Sequence, residues 1–235
     1  KEVFVSPNLV DDEEINLRDT CRALAGNLDK YIIDNTVVAV SWGNTLNCLA
    51  GQIQPLKAKD IKVVQLNGGV AKSASSTGAS QIVDAITMAG HGIGYMFPVP
   101  AIVDSKHTSE ILQEETQVKN VLRLAKEAEV SIFSIGALSK DSILYEVEYL
   151  KDEDFQALEK NKAVGDIASR YFDINGNIAL KELDDRVVGF GLEELREKEW
   201  TIAIAVGVNK VDAIIGALRA GFMNVLYTDE KTARE

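Results

Sequence analysis

Residues 36–45 read Thr-Val-Val-Ala-Val-Ser-Trp-Gly-Asn-Thr. The first part of this stretch is apolar and rich in β-branched side chains, which predicts a buried β-strand over residues 36–41. The Gly-Asn pair predicts a turn, and apolar residues at helical spacing over 45–53 predict a helix directly after it. Strand, glycine turn and helix in this order are typical of one unit of an α/β sheet.

The same order of elements recurs along the rest of the chain. Further strands are predicted over residues 62–66, 93–98, 130–135, 200–206 and 224–228, and further helices over residues 15–28, 81–89, 108–127, 153–160 and 210–220. Neighbouring parallel strands need crossover connections, which are usually helices. We therefore expect an α/β fold in which a Rossmann-like parallel sheet has helices on both faces.

One part of the sequence departs from this alternation. The Asn175-Gly176 pair predicts a β-hairpin over residues 171–187, because Asn-Gly is a strong signal for a hairpin turn. We therefore predict that residues 163–190 form a smaller lid subdomain on the main sheet, within one domain that spans residues 1–235.

Composition excludes several classes of protein. With 235 residues, of which 46% are hydrophobic, the chain can bury a substantial core. Its apolar runs are far shorter than the roughly 20 residues that span a bilayer, and no secretory signal opens the sequence. Cys21 and Cys48 provide neither a disulfide framework nor the ligand spacing of a zinc site. The sequence thus predicts a cytoplasmic protein with no membrane partner and no bound metal.

The charge of the chain bears on nucleic-acid binding. Its formal net charge is −11, whereas surfaces that bind nucleic acid usually appear as clusters of lysine and arginine. The sequence also begins at Lys1 rather than at a methionine. We therefore expect any operator DNA to be bound only through an N-terminal domain that is not in this chain.

Open parallel sheets bind ligands beyond the carboxyl ends of their strands, which makes the loops there candidate sites. In the first such loop, Ser41, Gly43, Asn44 and Thr45 follow a predicted strand and precede a predicted helix. Glycine lets the backbone approach an anion closely, and the polar side chains and free amides can donate hydrogen bonds to phosphate oxygens. The alternative is an ordinary turn in which Asn44 or Thr45 caps the helix.

The second loop follows the strand predicted over residues 62–66. Its Gln65 and Asn67 can hydrogen-bond sugar hydroxyls, and Gly68 permits a left-handed backbone. A purely structural turn is the alternative. The small, polar residues 72–80 that come next are predicted to be mobile.

Two further residues, Asp166 and Lys210, complete the candidate site. Asp166 can accept hydrogen bonds from sugar hydroxyls, and Lys210 lies where a predicted strand passes into a helix, so its ammonium can meet a phosphate. Both residue types are usually solvated at the surface, which is the alternative interpretation. If the three loops converge, they form a cleft for an anionic carbohydrate.

Five segments of the chain stand in the order and approximate spacing of a known family. They are Ser-Trp-Gly-Asn-Thr at 41–45, Pro-Ala-Ile-Val-Asp-Ser at 100–105, Gly-Asp-Ile at 165–167, Asp-Arg-Val-Val-Gly at 185–189 and Thr-Asp-Glu at 228–230. In these segments the chain resembles the C-terminal sugar-binding domain of the SorC family of transcriptional regulators. The resemblance covers nearly the whole chain and implies a fold like that of glucosamine-6-phosphate deaminase and ribose-5-phosphate isomerase.

The resemblance also implies a function. It assigns a phosphate-binding turn to Gly43, Asn44 and Thr45, a sugar-facing acid to Asp166 and a phosphate-contacting lysine to Lys210. The implied ligand is a phosphorylated sugar or polyol effector, which is bound without turnover and without a cofactor. The family further implies a homo-oligomer, either a dimer or a tetramer, and an N-terminal helix-turn-helix domain that binds DNA.

Two enzyme classes are the alternatives to a sensor. A sugar-phosphate isomerase or deaminase on the same scaffold needs a base near the sugar carbonyl, and Asp166 could serve as one. His91 and His107 are expected to be structural or solvated instead. A nicotinamide oxidoreductase would need a Gly-x-Gly-x-x-Gly turn after a strand, and the nearest match, over residues 90–94, has the wrong spacing.

Overall fold

The computed structural model describes residues 1–70 and 78–235. Its strands are β1 (Glu2–Ser6), β2 (Val37–Val40), β3 (Lys62–Gln65), β4 (Ile93–Tyr95), β5 (Val130–Ser134), β6 (Gly136–Ala137), β7 (Ala163–Ile167), β8 (Arg170–Asp173), β9 (Trp200–Ile204) and β10 (Val225–Asp229). Its helices are α1 (Glu13–Ala25), α2 (Asn44–Ala50), α3 (Ala79–Ala89), α4 (Lys106–Glu114), α5 (Thr116–Glu127), α6 (Ile143–Glu146), α7 (Asp152–Lys160), α8 (Lys181–Asp184), α9 (Val211–Ala220) and α10 (Glu230–Arg234). The mobility predicted for residues 72–80 falls largely outside the described residues.

The main sheet is parallel throughout and confirms the predicted fold class. Its strand order is β1-β10-β9-β5-β2-β3-β4, and each neighbouring pair runs in the same direction. The chain builds outward from β2 to β4 at one edge, then returns to β5 and builds toward the other edge. The strand order therefore reverses between β2 and β5, and the crevice at such a reversal is where open α/β sheets bind ligands.

Side chains that alternate along the central strands bury both faces of this sheet. On β2, Val38 and Val40 pack with residues of α1, α2 and α3, whereas Val37 and Ala39 pack with residues of α5 and α9. Full burial of a valine or leucine side chain stabilises a fold by about 1.5–3 kcal/mol. The apolar run in residues 36–41 is thus explained by a strand with no solvent-facing side.

A smaller antiparallel sheet, in the order β6-β7-β8, lies beside the main one. Within it, Gly136 of β6 pairs with Asp166 of β7. Two left-handed residues, Ala168 (φ 51°) and Ser169 (φ 70°), join β7 to β8, as a tight hairpin turn of two residues requires. The predicted subdomain over residues 163–190 contains β7, β8 and α8, while its closing as a lid stays a prediction.

The hairpin predicted around Asn175-Gly176 is confirmed only over its first residues. The chain turns back there, and Phe172 forms one antiparallel bridge with Ile178, but no second strand extends to Val187, and the turn between β7 and β8 lies at Ala168 and Ser169. In the Asn175-Gly176 turn only the glycine has a positive φ, 81°, whereas the favoured two-residue turn needs a positive φ at both positions. The Asp173 carboxylate accepts hydrogen bonds from the backbone N–H groups of Asn175 and Asn177, each at 2.9 Å. A local turn results, and helix α8 follows it instead of a second strand.

One further prediction needs correction, and two elements were missed. The helix predicted over residues 108–127 is broken at Glu115, whose extended backbone (φ −60°, ψ 135°) separates α4 from α5. The edge strand β1, which pairs with β10, and the C-terminal helix α10 were not predicted.

No helix within residues 1–70 and 78–235 is both long enough and apolar enough to cross a membrane.

Candidate functional site

A cleft of about 280 Å³ opens at the carboxyl ends of β2 and β5, where the strand order reverses. Its lining combines residues from three separate loops and the small sheet. Six of the residues predicted from the sequence line it: Ser41, Asn44, Thr45, Asn67, Asp166 and Lys210. The fold thus brings Thr45 and Lys210, which are distant in the sequence, into one cleft.

The turn before α2 presents backbone amides to this cleft. Gly43 has φ 126° and ψ 174° and precedes the first helical residue, Asn44, and no side chain caps the helix. The positive φ is strained for any residue with a Cβ atom, so glycine is required here. The alternative in which Asn44 or Thr45 caps the helix is therefore wrong. The first N–H groups of a helix have no partner within it, and here they remain available to a ligand.

The turn before α9 repeats this geometry and places Lys210. Gly207 has φ 118°, and its N–H donates to Oγ1 of Thr232 at 2.8 Å. A single 3₁₀ turn, Val208–Lys210, then leads into α9. The Lys210 ammonium lines the cleft and makes no hydrogen bond or ion pair with any residue in the described part of the chain. A cation without a counterion is a ready partner for an anion.

Asp166, a residue of β7, lies near Lys210. Its Oδ2 accepts a hydrogen bond from the Ser169 N–H at 3.1 Å. Burial raises the pKa of Asp166 to about 6, although the Ser169 amide and the charge of Lys210 oppose that rise. Burial likewise lowers the pKa of Lys210, against the opposing charges of Glu13 and Asp166. Because no ion pair joins Asp166 to Lys210, both groups can contact a ligand between them.

Two buried polar atoms in the lining also lack partners. Among the residues that the structure describes, neither Oγ of Ser41 nor Oδ1 of Asn67 has a hydrogen-bond partner. The amide nitrogen of Asn67 donates to Oγ of Ser169 at 3.1 Å, which fixes the side chain. A buried polar atom left without a partner costs about 1–3 kcal/mol. Both atoms are buried in this conformation, so a ligand donor would reach either of them only after the lining shifts.

The structure places two predicted site residues behind the lining instead of in it. Gln65 is 1% exposed, and its Oε1 accepts a hydrogen bond from the Phe97 N–H at 3.1 Å. The Gly68 carbonyl accepts one from Nε1 of Trp42 at 2.7 Å, and Trp42 itself lines the cleft. Gln65 and Gly68 thus hold the loop that carries Asn67.

Other lining residues were missed by the sequence interpretation. Most of them follow β5 or flank the turns already described: Ser134, Gly136, Ser139, Asp141, Ser142, Ser169 and Asn209. The rule that ligands bind at the carboxyl ends of strands could have identified the β5 loop, since its strand was predicted. No single residue type marked that loop in the sequence.

Neither histidine lies in the cleft. His91 occupies a left-handed turn (φ 48°) after α3, and His107 lies in the first turn of α4. In the described ranges, no group of three or more His, Cys, Asp or Glu side chains could hold a metal ion. The titratable groups in the cleft are carboxylates and the Lys210 ammonium.

Comparison with known proteins places the chain among regulators. All of it, residues 1–235, matches the family model Sugar-bind, which describes sugar-binding domains. The deoxyribonucleoside regulator of Bacillus subtilis (strain 168) is 33% identical over 216 residues, which are 92% of this chain and 69% of that protein. The name of that relative is one of a regulator and not of an enzyme.

Solved structures agree with this. A DeoR family transcriptional regulator from Listeria monocytogenes superposes with a TM-score of 0.90 at 26% identity, covering 99% of this chain and 92% of that one. The full-length sorbitol operon regulator SorC from Klebsiella pneumoniae gives a TM-score of 0.91 over 100% of this chain and 75% of that one. Its identity of 21% supports a shared fold alone.

Proposed function

Because the chain belongs to the Sugar-bind family of sugar-binding domains, we propose that it senses a phosphorylated sugar or polyol and thereby controls a bacterial transcriptional regulator. Family membership and the regulator names of its relatives support a sugar-binding regulatory domain. The phosphate on the ligand and the control of DNA binding are the parts that we propose.

The observation that carries the proposal is the unpaired Lys210 ammonium in the same cleft as the Gly43 turn. A phosphate between them would accept charge-assisted hydrogen bonds from Lys210 and further bonds from the Thr45 hydroxyl and the first amides of α2. Half-buried surroundings strengthen such bonds, because they are less screened than bonds in water. No other described lining residue carries a positive charge.

The sugar would lie between Asp166 and Asn67. The Asp166 carboxylate and Oδ1 of Asn67 are acceptors that suit sugar hydroxyls, and the Asn67 acceptor has no partner of its own. Ser41 adds a hydroxyl that can donate or accept. Hydroxyl contacts of this kind would decide which sugar binds.

The regulatory output would follow from movement of residues 163–190 over the ligand. Asp166 and Ser169 belong to this segment and also line the cleft, so a ligand can favour its closed position. A ligand shifts a conformational equilibrium only through unequal affinity for the two states. In a homo-oligomer, closure would alter the surfaces that position an N-terminal helix-turn-helix domain on operator DNA.

A second candidate is a sugar-phosphate isomerase or deaminase. One observation favours it: burial raises the pKa of Asp166 to about 6, close to the value that suits a general base near neutral pH. Incubating the best ligand with the protein and assaying for the isomerised or deaminated product separates the two functions. Formation of product would show that the protein is an enzyme, and the proposal of a sensor would be withdrawn.

The sensor is tested with a thermal-shift screen of phosphorylated sugars and polyols. A ligand at about 100 times its Kd adds roughly 2.7 kcal/mol of stability, equivalent to about 5–10 °C in Tm for a chain of this size. Lys210→Ala and Thr45→Val are expected to abolish the shift, because each removes a phosphate donor.

The matched control is Lys59→Ala, which removes the same charge from an exposed position outside the cleft. It should keep the full shift. A Lys210→Ala protein that still responds like the wild type would overturn the assignment of Lys210. An equal thermal shift of the wild-type protein with the unphosphorylated sugars would overturn the proposal that the ligand carries a phosphate.

A further inference from the structure

Besides Asp166, the described lining of the cleft has a second carboxylate, that of Asp141. Asp141 is an exposed residue of the loop after β6 and lines the cleft. Lys210 is more deeply placed, at the start of α9. One carboxylate therefore lies at the rim, while the ammonium lies further in.

Local hydrogen bonds hold Asp141 in place. The Ser139 hydroxyl donates to Oδ2 of Asp141 at 3.3 Å, and the Asp141 N–H donates back to Oγ of Ser139 at 3.1 Å. Both partners in these bonds are neutral groups of the neighbouring loop, so neither brings a positive charge to the carboxylate. It has a fixed position from which to act on a ligand.

The neighbouring lysine does not neutralise this carboxylate. The Lys140 ammonium lies 3.5 Å from Oδ1 of Asp152 and 5.3 Å from the centre of the Tyr145 ring. Within residues 1–70 and 78–235, Asp141 has no ion pair. Its negative charge therefore lies at the exposed rim of the cleft without a cationic partner among these residues.

We propose that Asp141 determines specificity by admitting sugars with one phosphate and an uncharged or cationic far end, and by excluding those with a second anionic group. This inference rests on the proposed function, since it assumes that one phosphate occupies the position beside Lys210. A cleft of about 280 Å³ brings both charges to bear on one small ligand.

The charges of the lining support this selection. The described lining offers one cation, Lys210, and two carboxylates, Asp141 and Asp166. A second phosphate or a carboxylate on the ligand would meet a like charge without a counterion, whereas a hydroxyl or an ammonium would find an acceptor. Specificity of this kind comes from a repulsive group that the wrong ligand cannot avoid.

The test measures affinity by isothermal titration calorimetry for ligands that differ in the charge of one end. The probes are ribose 5-phosphate against ribose 1,5-bisphosphate, and glucose 6-phosphate against 6-phosphogluconate, glucose 1,6-bisphosphate and glucosamine 6-phosphate. We expect each probe with a second phosphate or a carboxylate to bind at least about tenfold more weakly than the corresponding monophosphate. Asp141→Asn should remove most of that difference, and Asp141→Glu should keep it.

Two controls separate charge from shape. Asp84→Asn removes the same charge at an exposed position of α3 outside the cleft, and it should leave every ratio unchanged. Raising the salt concentration should narrow the wild-type ratios, because an exposed charge is screened, whereas a steric barrier would not respond.

The outcomes distinguish this inference from the proposed function. If the wild type binds the monophosphates but binds their doubly anionic counterparts equally well, the role of Asp141 is overturned and the proposed function stands. The same holds if Asp141→Asn leaves the difference in affinity unchanged. Failure of every monophosphate to bind overturns the proposed function and this inference together.

Discussion

At the scale of single residues, burial decides the chemistry of the cleft. Asp166 and Lys210 have pKa values that burial shifts in opposite directions, each toward its neutral form. Each residue is partly compensated by the charge of the other. Burial of these two groups therefore carries a free-energy cost that an anionic, hydroxyl-rich ligand can relieve.

This cost predicts a pH dependence for Asp166→Asn. The pKa of Asp166 is raised from 3.8 to about 6 in the folded protein, so its burial destabilises the fold progressively as pH rises through that window. The penalty shrinks as the pH falls toward 3.8 and vanishes only well below that value, where the carboxyl is neutral in both states. We expect Asp166→Asn to be more stable than the wild type by about 3 kcal/mol at pH 7.5 and by less than about 1 kcal/mol near pH 4.

Urea unfolding at pH 4, 5 and 7.5 measures this difference. The surface variant Asp84→Asn serves as the control for loss of one negative charge. A stability difference for Asp166→Asn that stays constant over this range would show that burial of the charged form is not its origin.

At the scale of elements, the contact between the small sheet and α9 sets the width of the cleft. Gly165 of β7 lies so close to its neighbours that a Cβ atom there would be 2.1 Å from the Gly136 carbonyl oxygen and 2.5 Å from Cβ of Ala213. This close approach puts Asp166, the next residue on β7, near the start of α9. The distance between Asp166 and Lys210 is thus set by a glycine and an alanine.

Gly165→Ala is therefore expected to separate the small sheet from α9. Because the added methyl group would meet backbone atoms that cannot move independently, we expect a loss of about 2 kcal/mol in unfolding free energy, together with weakened ligand binding. Gly191→Ala is the control, since its Cβ would have no neighbour closer than 3.9 Å and its φ is −84°. Chemical denaturation and the thermal-shift response measure both effects; equal behaviour of the two variants would contradict this role of Gly165.

At the scale of the whole molecule, charge argues against direct contact with nucleic acid. The chain has 36 acidic and 25 basic residues, and many of the described lysines and arginines form ion pairs with carboxylates, as Arg186 does with Asp154 and Arg170 with Asp184. Phosphate-backbone binding depends on clustered, available cations. A regulator built on this domain would need a separate segment to bind DNA.

We accordingly predict that this chain alone does not bind duplex DNA at physiological salt. Fluorescence anisotropy with a labelled duplex, with and without the best sugar phosphate, provides the measurement. Saturable binding by the isolated chain in either condition would contradict the prediction and would place a DNA contact within these residues.

The sequence determined the order of the central strands and of most of the longer helices, the parallel sheet, and several of the loops that line the cleft. Local patterns suffice for these features: a run such as residues 36–41 predicts a strand buried on both faces, and the Gly43 turn follows it directly. The polar residues Ser41, Thr45, Asn67 and Lys210 were identified because they follow strands or begin helices, whereas Asp166 was identified from its chemistry and from the family resemblance.

Only the tertiary structure decided which of these residues meet. Gln65 and Asn67 stand two positions apart, yet Gln65 bonds to Phe97 behind the lining while Asn67 lines the cleft. Asp141 and Ser139 gave no signal in the sequence, because their position depends on the short strand β6 and its pairing across Gly136. Local patterns report the neighbours of a residue along the chain, whereas packing between distant elements sets its distance from a ligand, its burial and its charge.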